Sequence, residues 1–218
     1  TSKDIDEAVK SAHQAYLDWK DVPTMKRVQP LFKLKMLLEE NKIEISKIIT
    51  TECGKTLKES EGEIQRAIEN VEVACGAYVM NQSEFSENIA PGIDEFMIRQ
   101  PLGVCGCITP FNFPGMIPFW FLPYAIATGN AFIIKPSEKV PLTMQFIIEL
   151  IDKYLDLPKG LISLVHGGKE SVDQMLEHSK VKAISFVGST QVAKYIYLQA
   201  SKYGKRVQAQ GGAKNPLV

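Results

Sequence analysis

Several features that would place this chain in a special class of protein are missing. Its 25 acidic and 25 basic residues give a formal net charge of zero, which argues against the basic field of a nucleic-acid-binding protein. The longest apolar stretch, 116–128, is broken by Pro118 and Pro123 and falls short of the roughly 20 residues that a membrane span needs. We therefore predict neither a nucleic-acid partner nor a membrane span.

Cysteine and histidine are also scarce. Four cysteines are too few for a disulfide framework in 218 residues, and the three histidines are scattered. Cys105 and Cys107 would share one face of a strand, but no second Cys/His cluster completes a metal site. No charged-then-apolar leader follows Thr1. We predict packing thiols, no metal, and a reducing compartment: the cytoplasm, or the mitochondrial matrix if the source is eukaryotic.

The hydrophobic pattern divides the chain into a helical part and an alternating part. Apolar residues recur at helical spacing through residues 4–80, with Asp4 as a plausible N-cap and Gly54 as a helix stop. The predicted helices there begin near Asp4 and cover about 25–40, 43–52 and 57–80. Residues 81–94, rich in polar residues, proline and glycine, are typical of a linker.

The second part predicts an α/β fold. The predicted strands are 96–99, 104–108, 131–134, 161–165, 183–187 and 206–209; the predicted helices are 118–128, 141–155, 169–177 and 191–203. Short apolar strands that alternate with helices indicate a parallel sheet covered on both faces. We divide the chain into a helical part at 1–80, a linker with strands at 81–108, and a sheet core at 109–218.

Three polar segments follow predicted strands, where ligands bind in open parallel sheets. In the first, 109–114, Asn112 lies between aromatics and prolines; its amide could stabilise an oxyanion, or it could cap a turn. In the second, 135–138, Lys135 and Glu138 suit the hydroxyls of a ribose, or form a surface ion pair. In the third, 186–190, Gly188 and Ser189 precede a helix whose N-terminus could bind phosphate. The alternative is that these residues only form the N-cap of the helix.

Taken together, TPFNFP, KPSE and FVGST, in that order and each at a strand end, resemble the aldehyde dehydrogenase superfamily. The resemblance implies a five-stranded, Rossmann-like NAD-binding sheet with flanking helices, preceded by a helical segment. It implies that Asn112 lies in the oxyanion hole, that Lys135 and Glu138 hold the adenosine ribose, and that Gly188 and Ser189 meet the pyrophosphate. The other residues of these segments expected to contact NAD are Thr109, Pro110, Phe111, Ser137 and Lys139. The two predicted strands within 95–108 would lie outside the parallel sheet and pair with a neighbouring subunit of a homotetramer or dimer.

The C-terminal segment departs from the common pattern of the superfamily. Most members have a glutamate that activates water to hydrolyse the thioacyl enzyme, but Gln210 stands here and an amide cannot accept that proton. The sequence Gly-Ala-Lys-Asn at 212–215 is similar to the methylmalonate-semialdehyde dehydrogenase branch, in which coenzyme A takes the acyl group. That branch usually has Asn and Met where this chain has Gln210 and Gly211.

Two further expectations follow from the resemblance. Arg66 would pair with the carboxylate of a malonate-type substrate; the alternative is a solvated helix charge beside Glu63 or Glu69. The family's catalytic cysteine would lie about thirty residues beyond Gln210, so we expect none of the four cysteines to be the nucleophile and the isolated chain to be inactive. The alternatives are a hydrolytic aldehyde dehydrogenase with a non-acidic substrate and a non-catalytic nucleotide-binding fragment.

Overall fold

A computed structural model describes residues 2–213 and 215–217 of the chain. Lys214, part of the C-terminal segment compared above, lies outside the described residues. The N-terminal part is helical: α1 (Ser2–Trp19), α2 (Thr24–Arg27), α3 (Gln29–Glu40), α4 (Lys42–Cys53), α5 (Leu57–Cys75) and α6 (Ala77–Met80). Gly54 ends α4 with φ +74°, the left-handed conformation expected of a glycine stop.

Two predicted helices are interrupted. The helix predicted at 25–40 is divided into α2 and α3 at Val28, because Pro30 at the start of α3 has no N–H to continue the hydrogen-bond ladder. The helix predicted at 57–80 is divided at Gly76 into α5 and α6. Helix α5, which carries several residues discussed below, begins with a capping box in which Thr56 and Glu59 each accept the other's backbone N–H.

Residues 81–94 do not form a linker. They contribute strand β1 (Glu84–Ala90), which pairs antiparallel with β2 (Ile93–Met97) to form a hairpin apart from the main sheet. The prediction at 81–94 was wrong because the Pro91-Gly92 pair, with Gly92 at φ +73°, makes a tight turn rather than an irregular segment. The predicted strand at 96–99 overlaps only the end of β2, which stops at Met97.

The remaining elements form a five-stranded parallel sheet with helices packed against it. In chain order they are β3 (Val104–Ile108), a 3-10 helix (Ile117–Trp120), α7 (Leu122–Ala127), β4 (Ala131–Lys135), α8 (Leu142–Tyr154), β5 (Ile162–Leu164), α9 (Lys169–Glu177), β6 (Val181–Gly188), α10 (Thr190–Lys202) and β7 (Arg206–Gly211). The single helix predicted at 118–128 is instead a 3-10 turn and α7, since Pro118 and Pro123 each require a new helix start.

The strand order is β5-β4-β3-β6-β7. The chain therefore builds outward from β3 through β4 to β5, then returns to the other side of β3 for β6. Strand β3 was expected to lie outside the sheet and pair with a neighbouring subunit. That prediction was wrong, because β3 pairs in parallel with both β4 and β6 and is the central strand of the sheet. A reversal of this kind opens a crevice between the carboxyl ends of the two central strands.

Long-range polar contacts fix the helices around this sheet. The indole N–H of Trp19 in α1 donates to the Ile126 carbonyl of α7 at 2.9 Å. The Glu52 carboxylate at the end of α4 accepts the backbone N–H groups of Leu142 and Thr143 at 2.8 and 3.0 Å, and so caps α8 from a distant part of the chain. Within the described residues, no helix is long and apolar enough to cross a membrane.

Candidate functional site

A cleft of about 530 Å³ lies at the carboxyl ends of β3, β4 and β6. It is the crevice that the reversal of strand order creates. Eight of the residues proposed from the sequence to bind cofactor line it: Thr109, Pro110, Phe111, Lys135, Ser137, Glu138, Gly188 and Ser189. The three segments that lie far apart in the sequence are therefore brought to one place.

Lys135, the last residue of β4, brings a positive charge into the wall of the cleft. Its side chain is 4% exposed, and its Nζ lies 3.3 Å from Oε2 of the exposed Glu138. The pKa of Glu138 is lowered, because its own backbone N–H and the Lys135 ammonium both stabilise the carboxylate. The pair thus offers an ionised donor and an ionised acceptor side by side.

Lys139, also proposed as a cofactor contact, does not line the cleft. Its backbone N–H donates to the Ser137 hydroxyl at 3.3 Å, and its ammonium lies 5.2 Å from the ring centroid of Phe111. Lys139 therefore contacts two lining residues, Ser137 and Phe111, without lining the cleft itself.

The end of β6 and the start of α10 form the opposite wall. A Cβ on Gly188 would lie 2.5 Å from the Phe186 ring, so only glycine fits here without a shift of that ring. Ser189 is the N-cap residue of α10, with an extended backbone and no side-chain capping hydrogen bond. The free N–H groups of the first turn of α10 and the Ser189 hydroxyl are consequently open to an anion in the cleft.

Thr109 adds a polar atom to the floor of the cleft. Its residue is 4% exposed, and its hydroxyl oxygen is buried without a hydrogen-bond partner in the described part of the chain. A buried hydroxyl in this state costs free energy unless a ligand or water satisfies it. The unpartnered hydroxyl fits a cleft whose floor gains a hydrogen-bond partner when a polar molecule binds.

The sequence analysis did not identify a hydrogen-bonded cluster in which side chains of α9 meet a side chain of α10. Lys169, the first residue of α9, donates to Asp173 at 2.5 Å and to the Tyr195 hydroxyl at 2.9 Å, and Tyr195 donates to Asp173 at 2.7 Å. These bonds raise the pKa of Lys169. Val172, Val192 and Ile196 add an apolar surface beside them. The signal was available, since Lys169 follows the carboxyl end of β5 as the other segments follow their strands.

Asn112 lies beyond the cleft. It is exposed, in the loop that leaves β3 after Phe111 and leads to the 3-10 helix at Ile117–Trp120. Arg66 is not a lining residue either; its side chain on α5 is 72% exposed, and its Nε lies 3.8 Å from Glu69. Glu63, the other acid considered as a partner for Arg66, is instead buried against the Asn112 loop, where Lys55 contacts it.

Comparison with known proteins identifies the family. The model of the Aldehyde dehydrogenase family matches residues 1–218, the whole chain. The chain belongs to the aldehyde dehydrogenase family. It is 51% identical over 216 residues to a malonate-semialdehyde dehydrogenase of Pseudomonas aeruginosa, covering 99% of this chain and 43% of the relative. A second malonate-semialdehyde dehydrogenase, from Bacillus cytotoxicus, is also 51% identical over 216 residues, 99% of this chain and 44% of the relative.

Solved structures agree with this assignment. A methylmalonate-semialdehyde dehydrogenase from Oceanimonas doudoroffii has a TM-score of 0.94 at 47% identity, over 99% of this chain and 44% of that one. A protein assigned the same activity in Sinorhizobium meliloti, solved in complex with NAD, has a TM-score of 0.94 at 43% identity over the same shares. The chain thus spans less than half the length of the relatives it matches. The predicted Rossmann-like α/β fold and family are confirmed.

Gln210 of this aldehyde dehydrogenase chain lies at the same edge of the sheet as the cleft. It is exposed in β7 and pairs in register with Val187, next to Gly188 at the end of β6. The position at which the sequence analysis expected a departure from the common family pattern therefore lies beside the end of β6, and it carries an amide.

The four cysteines, Cys53, Cys75, Cys105 and Cys107, are free thiols. Burial raises the pKa of Cys105 to about 12 and that of Cys53 to about 11, and it raises the pKa of Cys75 and Cys107 as well. Since the thiolate is the reactive form, a raised pKa lowers the reactive fraction of each thiol near neutral pH. The described residues contain no group of three or more His, Cys, Asp or Glu that could hold a metal ion.

Proposed function

We propose that this protein oxidises an aldehyde, a malonate or methylmalonate semialdehyde, with NAD, and that coenzyme A takes the acyl group from a thioacyl enzyme. The observation that carries the proposal is the cleft, in which Lys135, Glu138 and the N-terminus of α10 face one another at the switch in strand order. The semialdehyde dehydrogenases at 51% identity support the substrate class. The S. meliloti relative in complex with NAD supports the cofactor.

The chemistry of the cleft residues fits NAD. The Lys135 ammonium and the Glu138 carboxylate can respectively donate to and accept from the two hydroxyls of a ribose. The first turn of α10, with Gly188 and Ser189, would hold the pyrophosphate, and Val172, Val192 and Ile196 offer an apolar surface to the adenine. The unpartnered Thr109 hydroxyl gains a polar neighbour. NAD, when bound, supplies the hydride acceptor for oxidation of the aldehyde.

Asn112 contributes to the acyl chemistry rather than to cofactor binding. It follows the cleft residues Pro110 and Phe111 directly, and its side chain is exposed where a substrate carbonyl could approach. An amide N–H aimed at a developing oxyanion is among the larger single contributions to acyl transfer.

Arg66 would hold the carboxylate of the semialdehyde. Its guanidinium is exposed and only loosely paired with Glu69 at 3.8 Å, so it can form a bidentate contact with a substrate. It lies on α5 one turn beyond Glu63, which contacts the Asn112 loop.

We predict that Arg66→Gln in the full-length protein selectively weakens carboxylated substrates. A lost charged hydrogen bond is worth about 1.5–3 kcal/mol, so the KM for malonate semialdehyde should rise roughly tenfold or more. The KM for propionaldehyde, which has no carboxylate, should stay unchanged. Lys58→Gln removes an exposed charge from the same helix and serves as the control. Equal effects on both aldehydes would contradict the assignment.

Gln210 supports the proposed use of coenzyme A. With an amide at this position, no carboxylate is available there to deprotonate water, whereas a thiol such as coenzyme A is a stronger nucleophile and partly ionised near neutral pH. Hydrolysis of the acyl enzyme should therefore be slow, and transfer to the thiol fast.

We predict a single-turnover burst of NADH from the full-length protein without coenzyme A, and steady turnover when coenzyme A is added. Gln210→Glu should speed the release of free acid, while Gln208→Glu, two residues earlier on the exposed side of β7, should not. The measurement is a stopped-flow NADH trace with product analysis. Rapid multiple turnovers to free acid without coenzyme A would favour a hydrolytic aldehyde dehydrogenase instead.

We also propose that the protein is a homo-oligomer, a dimer or tetramer, associated through the β1–β2 hairpin. The cross-strand partners Phe85 and Phe96 are 65% and 68% exposed, and Ile89 and Ile93 are exposed beside them. An apolar hairpin with bare edges is an aggregation hazard unless another surface covers it.

We predict that replacing Phe85 and Phe96 together by serine shifts the full-length protein toward monomer in sedimentation velocity. Phe32→Ser, which changes another half-exposed phenylalanine on α3, should leave the oligomer intact. A wild-type protein that sediments as a monomer at micromolar concentration would show that the hairpin has a different role.

A further inference from the structure

The loop that carries Asn112 depends on α4 and α5 for part of its position. Between the end of β3 and the 3-10 helix, residues 109–116 form no strand or helix. The Cys53 thiol donates to the Phe111 carbonyl at 3.2 Å. The N–H groups of Gly115 and Met116 donate to Oε1 of Glu63 at 2.7 and 3.2 Å. Asn112 is thus bracketed by contacts that come from the N-terminal helices.

Glu63 is the buried member of this arrangement. Its side chain is 0% exposed, and both oxygens are used: Oε1 by the two loop N–H groups, and Oε2 by the Lys55 ammonium at 2.5 Å. A carboxylate this deeply buried is tolerated when it is paired and fully hydrogen-bonded. Lys55, itself 19% exposed, supplies the balancing charge.

Lys55 reaches the loop a second time. Its Nζ lies 3.8 Å from the ring centroid of Phe113, the residue next to Asn112, which is a cation–π contact. The pair therefore contacts the loop at Phe113 and at Gly115, just beyond Asn112. Gly115 also packs closely, since a Cβ there would lie 2.6 Å from Ile64 Cδ1 and 2.9 Å from Ile49 Cδ1.

We propose that Glu63 and Lys55 are positioning residues for formation of the thioacyl enzyme, acting through the loop that holds Asn112. The proposal rests on the proposed function, because it assumes that the Asn112 amide stabilises the oxyanion. Neither residue lines the cofactor cleft, so we expect an effect on the acyl chemistry and not on NAD binding. The pair contacts Phe113, which directly follows Asn112, and Gly115, three residues beyond it. A displacement of about 1 Å of a catalytic group such as the Asn112 amide can cost about 100-fold in rate.

The test uses Glu63→Gln and Lys55→Met in the full-length protein, with single-turnover hydride transfer as the readout. Glu63→Gln keeps the shape and one acceptor but removes the charge on which Lys55 and the loop N–H groups depend. We expect roughly a 10- to 100-fold slower rate for each variant, with NAD affinity unchanged. Glu52→Gln is the matched control, because Glu52 also accepts two backbone N–H groups, but from α8; its rate should match that of the wild type.

A double-mutant comparison separates positioning from general structural damage. Asn112→Ala alone should slow hydride transfer by about 10²–10³, the usual cost of one oxyanion donor. Adding Glu63→Gln to Asn112→Ala should slow it no further, since the group that Glu63 positions is already gone. If Glu63→Gln does not fold, the same comparison is made with Lys55→Met.

Two results would refute the positioning role of the pair, and a third would refute the oxyanion role of Asn112. Unchanged rates in Glu63→Gln and Lys55→Met would refute the positioning role. An equal additional loss in the Asn112→Ala background would show that the pair acts independently of Asn112, which also refutes it. An Asn112→Ala variant with unaltered hydride transfer would instead remove the oxyanion role from the proposed function.

Discussion

The reversal of strand order at β3 is the constraint on which the rest of the site depends. Because β4 pairs with one side of β3 and β6 with the other, the carboxyl ends of these three strands meet at one edge of the sheet. Lys135 and Gly188 reach that edge as the last residues of β4 and β6, and Thr109 reaches it as the residue after β3. A chain that built its sheet in one direction only would leave no crevice between these ends.

The electrostatics of the cleft follow from that geometry. A lysine side chain that is 4% exposed needs a partner, and Glu138, three residues later, provides one at 3.3 Å while remaining exposed to a ligand. On the other wall, the start of α10 provides N–H groups rather than a charged side chain. A cation, a carboxylate and a helix N-terminus therefore surround one space. A dinucleotide can contact all three groups, whereas a simple surface ion pair would involve only the first two.

The sequence predicted the parts of this structure that depend on local pattern. Strand ends, and with them the eight lining residues, could be located from apolar runs followed by Gly, Pro, Ser or Lys. The hairpin at 84–97 could not, since its polar composition resembles a linker and its apolar residues are exposed. The contacts of Glu63 and Lys55 could not be predicted either, because their partners Gly115 and Phe113 lie more than 50 residues away and no local sequence pattern indicates such a contact. Lys169, the first residue of α9, and Tyr195, within α10, were missed although both line the cleft.

The most direct test of the account is the affinity for NAD when the charge in the cleft wall is removed. Calorimetric titration of NAD into the full-length protein should be compared among the wild type, Lys135→Met and Lys153→Met, the last of which alters an exposed lysine on α8 outside the cleft. Loss of a charged hydrogen bond is worth about 1.5–3 kcal/mol, so the Kd of Lys135→Met should rise roughly tenfold or more. The Kd of Lys153→Met should equal that of the wild type. An unchanged Kd in Lys135→Met would contradict the claim that this cleft holds the cofactor.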